Sequence, residues 1–253
     1  MHDARQPAAE WFATPLGQYL LGREQQYFDK AVADVFGYNA LQLGLPGLDL
    51  LRASRIPYRL NVDANAGAGL RADFRDLPVA SNSIDLVMLP HVLEFSANPH
   101  QVLREVARVL LPEAQVVIAC FNPWSLWGSR RAFTRDGHYP WNGRFLHLPR
   151  VKDWLALLGL EITAGSMGCY SPPCAAEKWL ARFAFMEAAG DRWWPIAGGV
   201  FFLQAVKRVR GLRIIMPKWS DRLAPGKNLA AAPKKVRQPE DAVTVRNGVT
   251  GDQ

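Results

Sequence analysis

Short, largely apolar runs stand at Ile84 to Leu89, where Asp85 is the one polar residue, and at Val116 to Phe121, the first bounded by the polar turn Ala80-Ser81-Asn82-Ser83 and by Pro90. Runs of that length and character predict strands buried on both faces. Between them Val102, Leu103, Val106, Val109 and Leu110 recur at helical spacing, while Arg104, Glu105 and Arg108 take the other side. The pattern predicts strand, crossover helix, strand. Such a unit packs right-handed in a parallel sheet, and the carboxyl-end loops, here beginning at Asp73, Pro90 and Asn122, are the usual place for a ligand.

The same reading extends outward. Leu16, Tyr19, Leu20, Phe28, Ala31, Val32 and Val35 mark one face of a helix from Pro15 to Phe36, ended by Gly37. Tyr38 to Leu43 is a strand candidate, followed by the glycine turn Gly44-Leu45-Pro46-Gly47 and a helical stretch from Leu48 to Ser54. Ile56 to Val62 is a second strand, and the small polar stretch Asn61 to Gly69 leaves no room for a full crossover helix before Asp73. Asn122 to Arg150, rich in Trp, Gly and Arg, is too long for a passive connection and reads as an insert or lid. A helix from Val151 to Leu158, a strand from Leu160 to Gly168, a helix from Cys174 to Ala189 stopped by Gly190, and a last strand from Val200 to Val209 complete the pattern. Five segments follow: a helical cap over 1–36, a core over 37–121, the insert over 122–150, the rest of the fold over 151–216, and a basic tail over 217–253 expected to be disordered.

Composition changes this picture little. Hydrophobic residues make up 49% and charged residues 21% of 253, as in an ordinary globular protein. The amino terminus lacks a signal-peptide pattern and no run is long enough for a membrane span, so the expected address is the cytoplasm. Cys120, Cys169 and Cys174 form no C-x-x-C pair, which points to buried thiols and away from a metal site. A net charge of +7 favours a polyanion, an acidic substrate or an anionic membrane surface.

The run Ala72-Asp73-Phe74-Arg75-Asp76-Leu77-Pro78, then Asn82-Ser83-Ile84-Asp85-Leu86-Val87, His91-Val92-Leu93-Glu94 and Leu103 to Leu110 resembles the class I S-adenosylmethionine-dependent methyltransferases of the broad small-molecule branch. Phe121 to Gly128 is similar to an uncharacterised bacterial group within it. The resemblance implies an α/β fold: a Rossmann-like seven-stranded, mostly parallel sheet with helices on both faces and the last strand antiparallel. It implies S-adenosylmethionine as cofactor, lying across the carboxyl ends of the first four strands. Asp73 would then accept from the adenine amino group beside the Phe74 backbone, or else simply begin a turn. The free carbonyls of Leu89 and Pro90 would take the ammonium of the methionine moiety, or merely end a strand. Gly44 and Gly47 stand in the glycine loop, where Gln42 replaces the usual acid and Pro46 the middle glycine. Asp63 is the one acid offered for the ribose.

On the substrate side, His91 follows the fourth strand as a candidate general base, with Glu94 three residues on to orient its ring; a structural histidine is the competing reading. His138 and His147 lie in the insert. Asn122 is a candidate substrate contact or else caps the next turn; Trp124 and Trp127 are candidate substrate contacts, with core packing as the alternative, and Trp141 joins them in making the insert aromatic. Arg130, Arg131, Arg135 and Arg144 add positive charge there. The expected function is methyl transfer to a small-molecule acceptor. The alternatives are a non-catalytic scaffold or sensor of the same fold, and a nucleic-acid binder using these arginines and Lys234-Lys235-Val236-Arg237. The sequence leaves the acceptor and the oligomeric state open.

Overall fold

The computed structural model describes residues 6–64, 67–134 and 137–209; the tail from 217 onward and Arg135 lie outside them. Seven strands form one sheet: β1 (Asn39–Leu43), β2 (Tyr58–Asp63), β3 (Leu70–Arg71), β4 (Ile84–Pro90), β5 (Leu110–Phe121), β6 (Leu160–Gly168) and β7 (Val200–Lys207). Their order is β3-β2-β1-β4-β5-β7-β6. The pairs from β3 to β5 are parallel, and β7 runs antiparallel to both β5 and β6. The α/β, mostly parallel architecture is therefore the expected one.

The largely apolar runs are explained by layers on both sides. Val87 and Leu89 of β4, with Val116 and Ile118 of β5, pack against Val102, Val106 and Val109 of α3 (Pro99–Val109) and against Val151 and Leu155 of α5 (Leu148–Leu157). Leu86, Met88, Val117 and Ala119 face the other way, toward Phe12 of α1 (Gln6–Phe12) and Leu16, Leu20, Phe28 and Val32 of α2 (Pro15–Ala33). Alternate residues thus serve opposite cores, which is why both faces of these strands are mostly apolar.

Three local expectations change. Leu48 to Ser54 forms turns and no helix; Leu50, Leu51 and Ile56 are instead pressed into the core that α2 covers. Glu105, expected on the outer face of α3, is buried, because its carboxylate accepts from the Leu77 N–H at 2.8 Å and from Arg108, which also donates to the Leu77 and Val79 carbonyls. The helix expected over Cys174 to Ala189 is two, α6 (Glu177–Arg182) and α7 (Phe185–Trp193). Gly190 lies inside α7 and does not stop it; a Cβ there would come within 2.3 Å of the Tyr170 ring, so close packing requires the glycine.

The Asn122 to Arg150 insert contains α4 (Leu126–Phe133) and is packed down, not loose. Trp127, Tyr139, Trp141 and Phe145 are buried, and Phe121 stacks on Trp127 and on Phe145 with ring centroids 5.9 and 4.9 Å apart.

Candidate active site

A cavity of about 560 Å³ opens at the carboxyl ends of β1, β2 and β4. One end is walled by Gly44, Leu45, Pro46, Gly47, Asp63, Arg71 and Phe74, the other by Ala8, Ala9, Phe12, Val92, Phe95 and Tyr139, with Pro90 and His91 also contributing. The first group combines backbone, Asp63 and Arg71 with the Phe74 ring; the second is apolar and includes residues of α1, and Val92 sits beside Gly44, where a Cβ would lie 3.4 Å from its Cγ2. The cavity's size is that of an ordinary small-molecule site.

The glycine loop takes its shape from Gln42. This side chain is buried, its amide nitrogen donates to the carbonyls of Gly44, Leu45 and Leu48 at 3.2, 3.2 and 2.8 Å, and its oxygen accepts from the Leu50 N–H at 3.1 Å. A carboxylate has no hydrogen to give those carbonyls, so an acid could not hold this loop. Gln42 is thus a brace behind the loop and stands outside the cavity walls. Gly44 has φ +82°, a left-handed conformation natural to glycine, and Leu45 follows at φ +50°.

Asp63 ends β2, is 1% exposed and belongs to the cavity wall; a Cβ on Gly44 would lie 3.9 Å from its Oδ2. Phe74 is in the wall as well, while Asp73 is not. Asp73 caps its own turn, accepting from the Arg75 N–H at 2.9 Å and pairing with the Arg75 guanidinium. Pro90 reaches the wall and Leu89 is buried behind it.

His91 is held in a way that sequence spacing only half indicates. Its backbone is left-handed, φ +52°, and its ring is stacked on Phe121 at 4.0 Å. As an imidazolium it donates from Nδ1 to Glu94 Oε1 at 2.9 Å and from Nε2 to Glu24 Oε1. Burial alone would lower its pKa; the carboxylates of Glu24 and Glu94 outweigh that and hold it up at about 10. Both ring nitrogens are committed, so the ring keeps its proton at neutral pH and has no lone pair with which to act as a base. Glu94 Oε1 also accepts from the Phe121 N–H at 2.7 Å, joining the loop after β4 to the end of β5.

Glu24 was absent from the sequence-derived site, and a signal for it exists. Leu16, Leu20, Glu24 and Phe28 follow one another at four-residue spacing on the buried stripe of α2, so the acid interrupts an apolar ladder. Beside this cluster, Tyr139 lines the cavity with a buried hydroxyl that has no hydrogen-bond partner among the described residues.

The remaining candidates do not meet at the cavity. Trp127 is fully buried and its indole donates to the Ser171 carbonyl at 3.1 Å. Asn122 is buried and donates to the carbonyls of Ile196 and Gly198, both at 2.9 Å. Trp124 is exposed, edge-on to His147. His138 and His147 are exposed outside the walls. No group of His, Cys, Asp or Glu suited to a metal occurs among the described residues, and none of their helices is long and apolar enough to cross a membrane.

Residues 47–118 match the family model described as "Methyltransferase domain". The uncharacterized protein YafS of Escherichia coli is 30% identical over 159 residues, which are 62% of this chain and 66% of that protein's length. Among solved structures, a SAM-dependent methyltransferase from Thermotoga maritima shares the fold at TM-score 0.60 and 14% identity, covering 79% of this chain and 94% of that one. The [4+2]-cyclase SpnF does so at TM-score 0.51 and 18% identity, covering 74% and 80%. The chain thus carries a methyltransferase-domain match in its central segment and shares the fold of S-adenosylmethionine-dependent methyltransferases.

Proposed function

We propose that the chain is a class I methyltransferase that binds S-adenosylmethionine in the cavity and moves its methyl group to a small-molecule acceptor. The observation that carries this reading is the wall itself: a backbone-lined turn after β1, a buried carboxylate at the end of β2 and Pro90 at the end of β4 open on one space. Bound there, the cofactor supplies an electrophilic methyl group on a sulfonium, which leaves by direct displacement. Gly44 and Gly47 let the backbone come close to a ligand where side chains would intervene. Asp63 supplies a carboxylate suited to the two hydroxyls of a ribose, and Phe74 a ring suited to the adenine. The Pro90 carbonyl suits an ammonium group.

At the other end, Phe12, Val92, Phe95 and Tyr139 form an apolar wall that excludes water and holds the acceptor's body, with the Tyr139 hydroxyl as a polar anchor. His91 serves as a positioning residue, a locked cation fixing the loop after β4. Acceptors whose attacking atom needs no proton taken by the imidazole fit this site best.

Titration calorimetry with S-adenosylmethionine and S-adenosylhomocysteine tests the reading. Saturable binding is expected, weakened about tenfold by Asp63→Asn. No heat and no thermal stabilisation at millimolar ligand would overturn it. A second reading has the similarity to SpnF in its favour, since one fold hosts more than one chemistry: a protein that binds the cofactor without methyl transfer, recognised by tight binding and no methylated product across an acceptor panel.

A further inference from the structure

Large exposed apolar side chains are concentrated outside the cavity. Trp124, Leu126 and Phe133 lie in and before α4, and Trp179, Phe185, Trp193, Trp194 and Ile196 lie in and after α6 and α7. Four of the chain's nine tryptophans are thus in water, and Trp124, Trp193 and Ile196 are 67, 70 and 67% exposed. Exposed clusters of this kind mark contact surfaces.

The two segments are fastened to each other. Asn122 accepts from the Trp124 N–H at 3.0 Å and donates to the Ile196 and Gly198 carbonyls, so one side chain holds Trp124 and the Trp193 to Ile196 end together. Further back, Trp127 donates to the Ser171 carbonyl and Arg130 to that of Pro173, while the Ser171 hydroxyl donates to the Phe183 carbonyl. The exposed rings therefore belong to one neighbourhood of fixed backbone.

Charge names the occupant. On the α6–α7 segment Lys178, Arg182 and Arg192 are exposed, against the exposed Glu177 and one further acid in the sequence, Asp191, while α4 carries Arg130 and Arg131 and no acid. Glu187 is turned inward, bound by the Tyr19 hydroxyl and the Tyr170 N–H. We propose that this surface docks on an anionic lipid bilayer, its tryptophans at headgroup level and its lysine and arginines on the acidic headgroups. Indoles favour that depth because one edge is polar and the ring apolar. Leu126, Phe133, Phe185 and Ile196 add side chains that gain from acyl chains, and the aliphatic ones offer no stacking plane to a nucleic-acid base. None of these residues lines the cavity, so the proposal stands apart from the methyltransferase reading.

The test is co-sedimentation of the full chain with vesicles of phosphatidylcholine alone and with added phosphatidylglycerol, at about 0.15 M salt. Binding to the anionic vesicles is expected, with a blue-shifted tryptophan emission. The double variant Trp193→Ser/Trp194→Ser, and separately Trp124→Ser, should each weaken it about tenfold with an unchanged melting temperature. Absence of binding to anionic vesicles overturns the proposal. So does binding that survives both variants but is lost when residues 211–253 are removed, or binding to single-stranded polyuridylate that vesicles fail to compete away.

Discussion

Two buried polar braces shape the two sides of the cavity, and they are built on opposite principles. Behind the loop after β1, neutral Gln42 exchanges four hydrogen bonds with the backbone and leaves nothing over. Behind the loop after β4, His91 stands between Glu24 and Glu94, and Oε2 of each carboxylate has no hydrogen-bond partner among the described residues. The first brace is satisfied at any pH. The second depends on one proton, which compensates two carboxylates removed from water. The difference teaches that an amide suffices to fix a loop, whereas a charged cluster fixes a loop and also ties a distant helix to it.

The largest effect should come from breaking the charged brace. His91→Ala leaves Glu24 and Glu94 buried without their cation, and is expected to cost about 3–5 kcal/mol, read by urea denaturation. If the loss is below about 1 kcal/mol, the cluster is not ionised as described. Next, Gln42→Glu sets a carboxylate against three carbonyl oxygens and should cost about 3 kcal/mol, whereas Gln42→Ala costs less.

The pH dependence separates the two braces directly. His91 has a folded pKa raised from 6.5 to about 10, so its contribution is complete below pH 6.5 and is lost as pH rises through about 10. The melting temperature should therefore fall across that window, and the double variant Glu24→Gln/Glu94→Gln should flatten the fall. Gln42→Ala should leave the slope as it was. Smallest is Leu45→Gly: relief of a left-handed leucine against the added chain entropy of glycine gives a net change within about 1 kcal/mol, with weakened cofactor binding if the loop loses its set.

How much of this could be read from the chain follows from the range of each interaction. The strands at Ile84 to Leu89 and Val116 to Phe121 were legible because a short, largely apolar run has few other uses, whereas the first half of β5, from Leu110 to Gln115, was not, since Leu110 continues the helical spacing and Pro112, Glu113 and Gln115 break the apolar pattern. The Gln42 loop was legible as a departure from a family pattern but not as a brace, since its partners are backbone carbonyls that no residue type announces. Trp127 and Asn122 read as substrate contacts from their place after a strand; a sequence does not tell an aromatic that lines a site from one that fills the space beneath it. The buried Glu105 was misplaced because Arg108 and the Leu77 N–H compensate it from outside the helical pattern. Glu24 is 67 residues from His91, and its only local mark is an acid on an apolar stripe.

That separation also orders events during folding. Before β4 exists, docking α2 on the nascent sheet would bury Glu24 with no cation beside it, a cost of several kcal/mol that its apolar neighbours must first overcome. Docking of α2 is therefore expected to come no earlier than that of β4 and His91, which amide-exchange protection followed during refolding would show.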